Sequence, residues 1–257
     1  MVLDSSEINH FLEHGYTRID HAFSSEIATE CMRILWSDIE ADPDDPSSWS
    51  KPVVWLGGYH DQPFKEVANS PKIVSAFDQL IGPGRWAPLD GLGTFPVRFP
   101  TDQDTGDTGW HIDASFPGEG DPNDFLSWRV NVHSKGRSLL ALFLFTDVGE
   151  SDAPTRIRAG SHIDIARLLA PAKEEGVAVK DLDYTETANR TEVLATGKTG
   201  TVYFCHPFLV HAAQINKGSR PRIMAQPPVF PQQSFNVFKD PELEEYPIEQ
   251  AIREALK

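Results

Sequence analysis

Cysteine is scarce: Cys31 and Cys205 are the two present in 257 residues. They form no C-x-x-C pair and are too few for a disulfide framework, so free thiols in a reducing compartment are expected. Positive charge is also in short supply, with 23 Lys and Arg against 38 Asp and Glu and a formal net charge of -15. Such a field repels nucleic-acid phosphates and anionic membranes, and no basic cluster tracks a phosphate backbone. Neither nucleic acid nor a membrane is expected as a partner. No run of eighteen apolar residues occurs, and the opening MVLDSSEINHFLEHGY lacks the basic-then-apolar order of a secretory signal. A soluble, cytoplasmic protein is the expectation, and the Asn-Arg-Thr triplet at Asn189 then carries little weight. Internal repeats, a glycine-rich phosphate loop and a G-x-S-x-G elbow are missing as well. The stretch DQDTGDTGWHID starts like a calcium loop at Asp102 and Asp104. Its sixth position is Asp107 where that loop needs Gly, so a polar loop is the simpler account.

What the chain does have is core material: 40% apolar residues, six Trp and fifteen Phe. That suffices for one large domain. Helical patterns fill the first eighty residues. One runs from Ser5 to His14 and closes at Gly15; the next runs from Ser24 to Glu40, with Ser24 as its N-cap; a third runs from Ser70 to Ile81, with Pro71 in its first turn and Gly82 at its end. From Trp86 the period shortens to apolar runs cut by Gly, Pro and Asp: 92–99, 139–148, 191–194, 200–205, 209–215 and 222–229. One helix interrupts them near Ile163 to Leu169, and a helical tail is expected over Lys239 to Lys257. The pattern predicts a mainly β body, barrel or sandwich, with a helical flank.

Within this body the stretch GWHIDASFP holds His111 and Asp113. In a strand, residues two apart point the same way, which suits two ligands on one ion, although H-x-D triplets also arise by chance. A third ligand is needed, and TVYFCHPFLVHAAQINKGSRPR offers His206 and His211. Five residues apart, they would face opposite sides of an unbroken strand, so one of them joins the pair and the other does not. Two histidines and a carboxylate on one face of a ferrous ion leave three positions open for a bidentate co-substrate and dioxygen. A closed structural zinc site would want four ligands; Cys205 shares the parity of His211 and keeps that reading open.

WHID, followed one hundred positions on (211 minus 111) by FCHPFLVHAAQINKGSRPR, with DAPTRIRAGSH between, resembles the phytanoyl-CoA dioxygenase family of iron(II)- and 2-oxoglutarate-dependent oxygenases. The resemblance covers about residues 3 to 230. It implies a double-stranded β-helix, the jelly-roll or cupin-like barrel, in a single domain over 1–257: a mainly helical flank at 1–85, the jelly-roll core at 86–230 and a tail at 231–257. It further implies that His111, Asp113 and His211 bind iron, that Arg222 binds the distal carboxylate of 2-oxoglutarate, and that His206 is structural. A guanidinium is a permanently charged, bidentate partner for a carboxylate, which suits Arg222 to that role. The chain departs from relatives at Ala213, where several carry a hydroxyl residue, and at Ala159, which replaces a proline. Asp113 is retained, where halogenating relatives carry a small residue.

The expected activity is that of an oxidoreductase: a dioxygenase hydroxylating, or otherwise oxidising, an unactivated C–H bond of a small-molecule metabolite, with iron(II), 2-oxoglutarate and O2 as cofactor and co-substrates and succinate and CO2 as products. An inactive cupin-like metal- or ligand-binding protein is the alternative, and a hydroxylase of protein side chains a further one. Arg98, Trp110, Phe116, Arg129 and Asn131 are candidates for the substrate or co-substrate pocket. Lys135 and Arg137 read as charges on a solvated edge strand. Neither the substrate nor the oligomeric state is set at this level, since one fold hosts many reactions.

Overall fold

The computed structural model describes residues 1–119, 121, 123–238 and 244–257. Helix α1 (Ser5–His14) begins at Asp4, whose carboxylate accepts from Ser6 and Glu7 while Glu7 reaches back to the Asp4 N–H. This reciprocal cap satisfies donors that a helix start otherwise leaves bare. Gly15 ends α1 at φ 80°, a left-handed conformation costly for any side chain. The turn delivers the chain directly into strand β1 (Tyr16–Ile19). Helix α2 (Ser25–Ser37) starts from Ser24, which accepts the Ile27 N–H, and buries Ala28, Cys31 and Leu35. Next come β2 (Val53–Leu56), α3 (Gln62–Ala68) and α4 (Pro71–Leu80), the last with Pro71 in its first turn. The helical reading of this region thus missed β1, β2 and α3. All three are seven residues or shorter, too brief for periodicity to declare them.

The remaining strands are β3 (Phe95–Arg98), β4 (Arg129–Val130), β5 (Leu139–Leu144), β6 (Arg156–Arg158), β7 (Val177–Ala178), β8 (Glu192–Leu194), β9 (Val202–Cys205), β10 (His211–Ala212), β11 (Met224–Ala225) and β12 (Pro228–Val229). Between them lies α5 (Ser161–Leu169), and α6 (Pro247–Ala255) closes the chain. Residues 239–243 of the expected tail helix lie outside the described residues. One sheet has the order β1-β9-β5-β11, with β12 also pairing β5; a second has the order β10-β6-β8. Helix and strand are mixed rather than mainly β, and no closed barrel is detected among the described residues. Gly, Pro and Asp cut the apolar runs so often that several contribute two paired residues or a single bridge.

Strand β5 shows how the core is divided. All six of its residues are buried, and its four leucines and Phe143 each stabilise the fold by roughly 1.5–3 kcal/mol. Leu140, Leu142 and Leu144 join Tyr203, Cys205, Met224 and Ile157 in one apolar cluster. Leu139, Ala141 and Phe143 face the other way, into the core that the helices cover with Phe64, Phe77 and Leu35. The site lies where the smaller cluster meets the 98–113 and 206–224 segments.

Candidate metal centre

His111 and His211 meet through the backbone. Each N–H donates to the other's carbonyl at 2.9 Å, an antiparallel bridge that places the two side chains directly opposite each other on one face. Their ring centroids are 4.4 Å apart. On its other edge His211 is paired with Ile157 of β6, which fixes that face toward the small apolar cluster. The expected strand through His111 and Asp113 is not there: pairing stops after the single bridge residue and Asp113 sits in irregular backbone. The carboxylate still arrives, with Oδ1 3.9 Å from His211 Nε2. Ligand atoms of His111, Asp113 and His211 all lie within 4.8 Å of one another.

Both imidazoles are oriented the same way. His111 Nδ1–H donates to the Gly109 carbonyl at 2.9 Å and His211 Nδ1–H to the Leu209 carbonyl at 3.0 Å. Each bond fixes the tautomer and leaves Nε2 with its lone pair, the form a metal requires. Burial pushes the His211 pKa down to about 4, with His111 adding to the effect, so the ring is neutral near pH 7. Burial opposes ionisation of Asp113, but Arg137, His211 and His111 together outweigh it and hold the carboxyl below its usual range. Two neutral nitrogens and one carboxylate oxygen, with no thiolate, suit a ferrous ion with open positions. Cys205 is buried nearby, but it is not among the residues whose ligand atoms gather within 4.8 Å; burial followed by the Asp113 charge pushes its thiol well up.

The second bridge pairs Arg98 with Arg222, again through two backbone bonds of 3.0 and 2.9 Å. Arg222 shares the parity of Met224, which faces the small apolar cluster, so both guanidinium groups point to that interior. Arg98 is neutralised by Asp107 and also donates to Thr105. Arg222 is 2% exposed, and its Nε and Nη1 have no hydrogen-bond partner among the described residues. Burial, then repulsion from Arg98, lowers its pKa to about 9. A bare buried cation of this kind is costly unless an anion joins it. Asn216 supports the turn before it, donating at 2.9 Å to the carbonyls of Arg98 and Arg220.

Several side chains expected in a pocket also have partners in the scaffold. Arg129 donates to the carbonyls of Glu175 and Gly176 at 2.7 Å. Asn131 is fully buried, donating to the Glu174 carbonyl and accepting from the Lys135 N–H. Arg98 anchors the 105–107 loop. Trp110 is held between Arg156 and Arg158, whose guanidinium carbons lie 4.6 and 4.2 Å from its ring centroid. Phe116 is half-buried, bridged to Arg129, with the Lys135 ammonium 5.1 Å above its ring. Arg137 corrects the solvated-edge reading in the opposite direction: its side chain is 18% exposed, and its Nη1 lies 3.2 Å from Asp113 Oδ2. Tyr184 was also missed; its hydroxyl accepts from the Ile112 N–H at 3.3 Å, between the two ligands. No spacing in the sequence links residue 184 to residue 112.

Fold and site together define the class of non-haem iron oxygenases that take a 2-oxo acid. The chain belongs to the phytanoyl-CoA dioxygenase (PhyH) family, whose model matches residues 9–224, and with it to the iron(II)- and 2-oxoglutarate-dependent oxygenases. Among solved structures it is similar to the non-heme alpha-ketoglutarate-dependent carbocyclase SnoK from nogalamycin biosynthesis, at 17% identity over 91% of this chain and 86% of that one, with a TM-score of 0.59. EctD from S. alaskensis, solved with 2-oxoglutarate and 5-hydroxyectoine, gives 18% identity, 90% and 76% coverage and a TM-score of 0.58. HygX from Streptomyces hygroscopicus, solved with nickel, 2-oxoglutarate and hygromycin B, gives 13% identity, 90% and 88% coverage and a TM-score of 0.55. No curated protein matches the sequence. No helix among the described residues is long and apolar enough to cross a membrane.

Proposed function

We propose that this chain is a dioxygenase that hydroxylates an unactivated C–H bond of a small-molecule metabolite, and that residues 1–257 act as one domain with a jelly-roll core. The carrying observation is the convergence of His111, Asp113 and His211 within 4.8 Å, on the face of the sheet shared by buried Arg222, whose Nε and Nη1 have no partner among the described residues. The donor set fits iron(II), and the buried cation fits a carboxylate of 2-oxoglutarate. When bound, that pair and O2 supply the oxidation of the C–H bond, with succinate and CO2 as products.

The chain's own residues do the rest. His111 and His211 offer Nε2 because their Nδ1 protons are held by backbone carbonyls. Asp113 supplies the negative charge. Arg222 anchors the co-substrate by its far end, which aligns the other end with the metal ligands. Leu140, Leu142 and Met224 keep the interior dry. Trp110 and Phe116 flank the ligands as walls of a substrate pocket. Support for a small-molecule substrate comes from relatives of the same fold solved with hygromycin B or nogalamycin RO.

The test is anaerobic addition of iron(II) and 2-oxoglutarate, followed by air and a panel of acyl-CoAs, amino-acid derivatives and natural-product intermediates. A weak visible charge-transfer band, then substrate-stimulated succinate release, is the expected result. A band without succinate under any substrate would favour an inactive metal- and ligand-binding protein; no band at all would remove the metal reading.

A further inference from the structure

The two histidines of the cluster are oriented by their own backbone, whereas Asp113 is oriented from another segment. Its Oδ2 lies 3.2 Å from Arg137 Nη1 and its Oδ1 3.9 Å from His211 Nε2, so the two carboxylate oxygens have different neighbours. We propose that Arg137 is a positioning residue that holds Oδ2 and thereby presents Oδ1 alone to the metal site. The inference rests on the metal reading above. A carboxylate free to turn can offer both oxygens and occupy an extra coordination position; one held by a guanidinium offers one.

The segment carrying Arg137 is built against the segment carrying Asp113. Gly136 N–H donates to Ser115 Oγ at 2.9 Å, and a Cβ on Gly136 would collide with the Ser115 carbonyl. Ser115 and Phe116 in turn donate to the Arg129 carbonyl at 3.0 Å. The Ser134 hydroxyl caps the Arg137 carbonyl, and Ser138 N–H donates to Val229 at 2.7 Å. Ser134 adopts φ 45°, a strained conformation that persists only where surrounding bonds over-determine it. The buried Nε of Arg137 has no partner among the described residues, and its Nη1 meets Asp113 as an ion pair.

A cation beside a metal ligand repels the ion but also keeps the Asp113 carboxylate ionised, so affinity in a charge-removing variant does not by itself separate charge from positioning. Arg137→Lys keeps the charge and loses the planar fork, and the cobalt spectrum reports how the ligands are arranged; charge alone predicts wild-type affinity and spectrum in Arg137→Lys, positioning predicts weaker binding with a shifted spectrum. The experiment titrates the full chain anaerobically with cobalt(II) alone, by calorimetry and by visible cobalt absorption, in wild type, Arg137→Met, Arg137→Lys and His211→Ala. Expected are about 10- to 100-fold weaker binding in Arg137→Met, as for partners of metal ligands in general, with a changed cobalt spectrum and partial recovery in Arg137→Lys. Equal or tighter binding in Arg137→Met with an unchanged spectrum overturns the proposal and leaves the metal reading intact. If Arg137→Met does not fold by circular dichroism, Arg137→Lys decides: wild-type affinity and spectrum overturn, weaker binding with a shifted spectrum supports. Wild-type binding in His211→Ala would remove the metal site itself, and this proposal with it.

Discussion

Among the described residues three pairs of histidines have their rings close together; besides His10 and His14 within α1, two join distant segments, and their difference explains why one is read as a metal site. His111 and His211 have ring centroids 4.4 Å apart, His162 and His206 5.1 Å apart. In the first pair each Nδ1 is tied to a carbonyl two residues earlier in its own segment, so the opposite nitrogens remain for a ligand, and Asp113 stands beside them. In the second pair three of the four nitrogens serve the backbone, and His162 Nδ1 has no partner among the described residues. His162 Nε2–H donates to Leu12 in α1 and His206 Nε2–H to Ile248 in α6, while His206 Nδ1 accepts from Phe208. These bonds tie α1 to α5 and α6 to the segment that follows β9. Two imidazoles in contact do not define chemistry; the partners of their second nitrogens do.

The largest effect that sharpens this contrast comes from the first pair. Asp113→Ala or His211→Ala should abolish iron-dependent succinate release while leaving the far-ultraviolet circular dichroism unchanged. Succinate at the wild-type rate from either variant would remove the assignment. Next is Arg222→Ala, expected to raise the 2-oxoglutarate requirement on the order of 100-fold, as for a charge-assisted, bidentate partner worth roughly 3 kcal/mol. Steady-state kinetics with varied 2-oxoglutarate would show it as a KM effect; an unchanged KM would place the co-substrate elsewhere. His206→Ala reverses the pattern: about 3 kcal/mol lower stability in urea, with cobalt(II) affinity within about threefold of wild type. Severe loss of metal affinity in a folded His206→Ala protein would show that the two pairs are not separate.

The smallest effect is a pH dependence. Burial lowers the His162 pKa to about 4 from an ordinary 6.5, and burial with His162 as neighbour pushes His206 well down. Both are therefore neutral in the folded chain, while the unfolded chain takes up protons below pH 6.5. The folded state binds fewer protons through that window, so stability falls as pH drops from 6.5 toward 4. For His162 alone the loss between pH 7.5 and 5 is about 2 kcal/mol. Urea midpoints of the metal-free protein at the two pH values measure it, and a His162→Gln variant should flatten the slope.

Several helix ends were legible because their causes are local: Ser24, Pro71 and Gly15 act on backbone within one turn, and helices begin or end beside them, whereas α2 stops at Ser37, short of the expected Glu40. Strands were legible as regions and not as extents, because pairing depends on a partner that the local pattern does not contain. For His111 and Asp113 the sequence offered proximity through strand parity, yet Asp113 sits in irregular backbone, and His211 joins the two through a single bridge to His111, one hundred residues away. Lys135 and Arg137 were visible as charges, but the solvated-edge reading failed at Arg137. Solvated and buried arginines look alike in sequence, and only the docking of Gly136 on Ser115 distinguishes this one.

By itself the sequence determined the acidic, disulfide-free character of the chain, the main helices of its first eighty residues and the chemical types available to hold a metal, since these follow from composition and from contacts within a few residues. Tertiary structure alone decided which histidines stand together, which of two adjacent buried arginines keeps its charge bare, and which cation holds Asp113. Those outcomes depend on backbone pairing and burial between distant segments, and no short-range pattern encodes them.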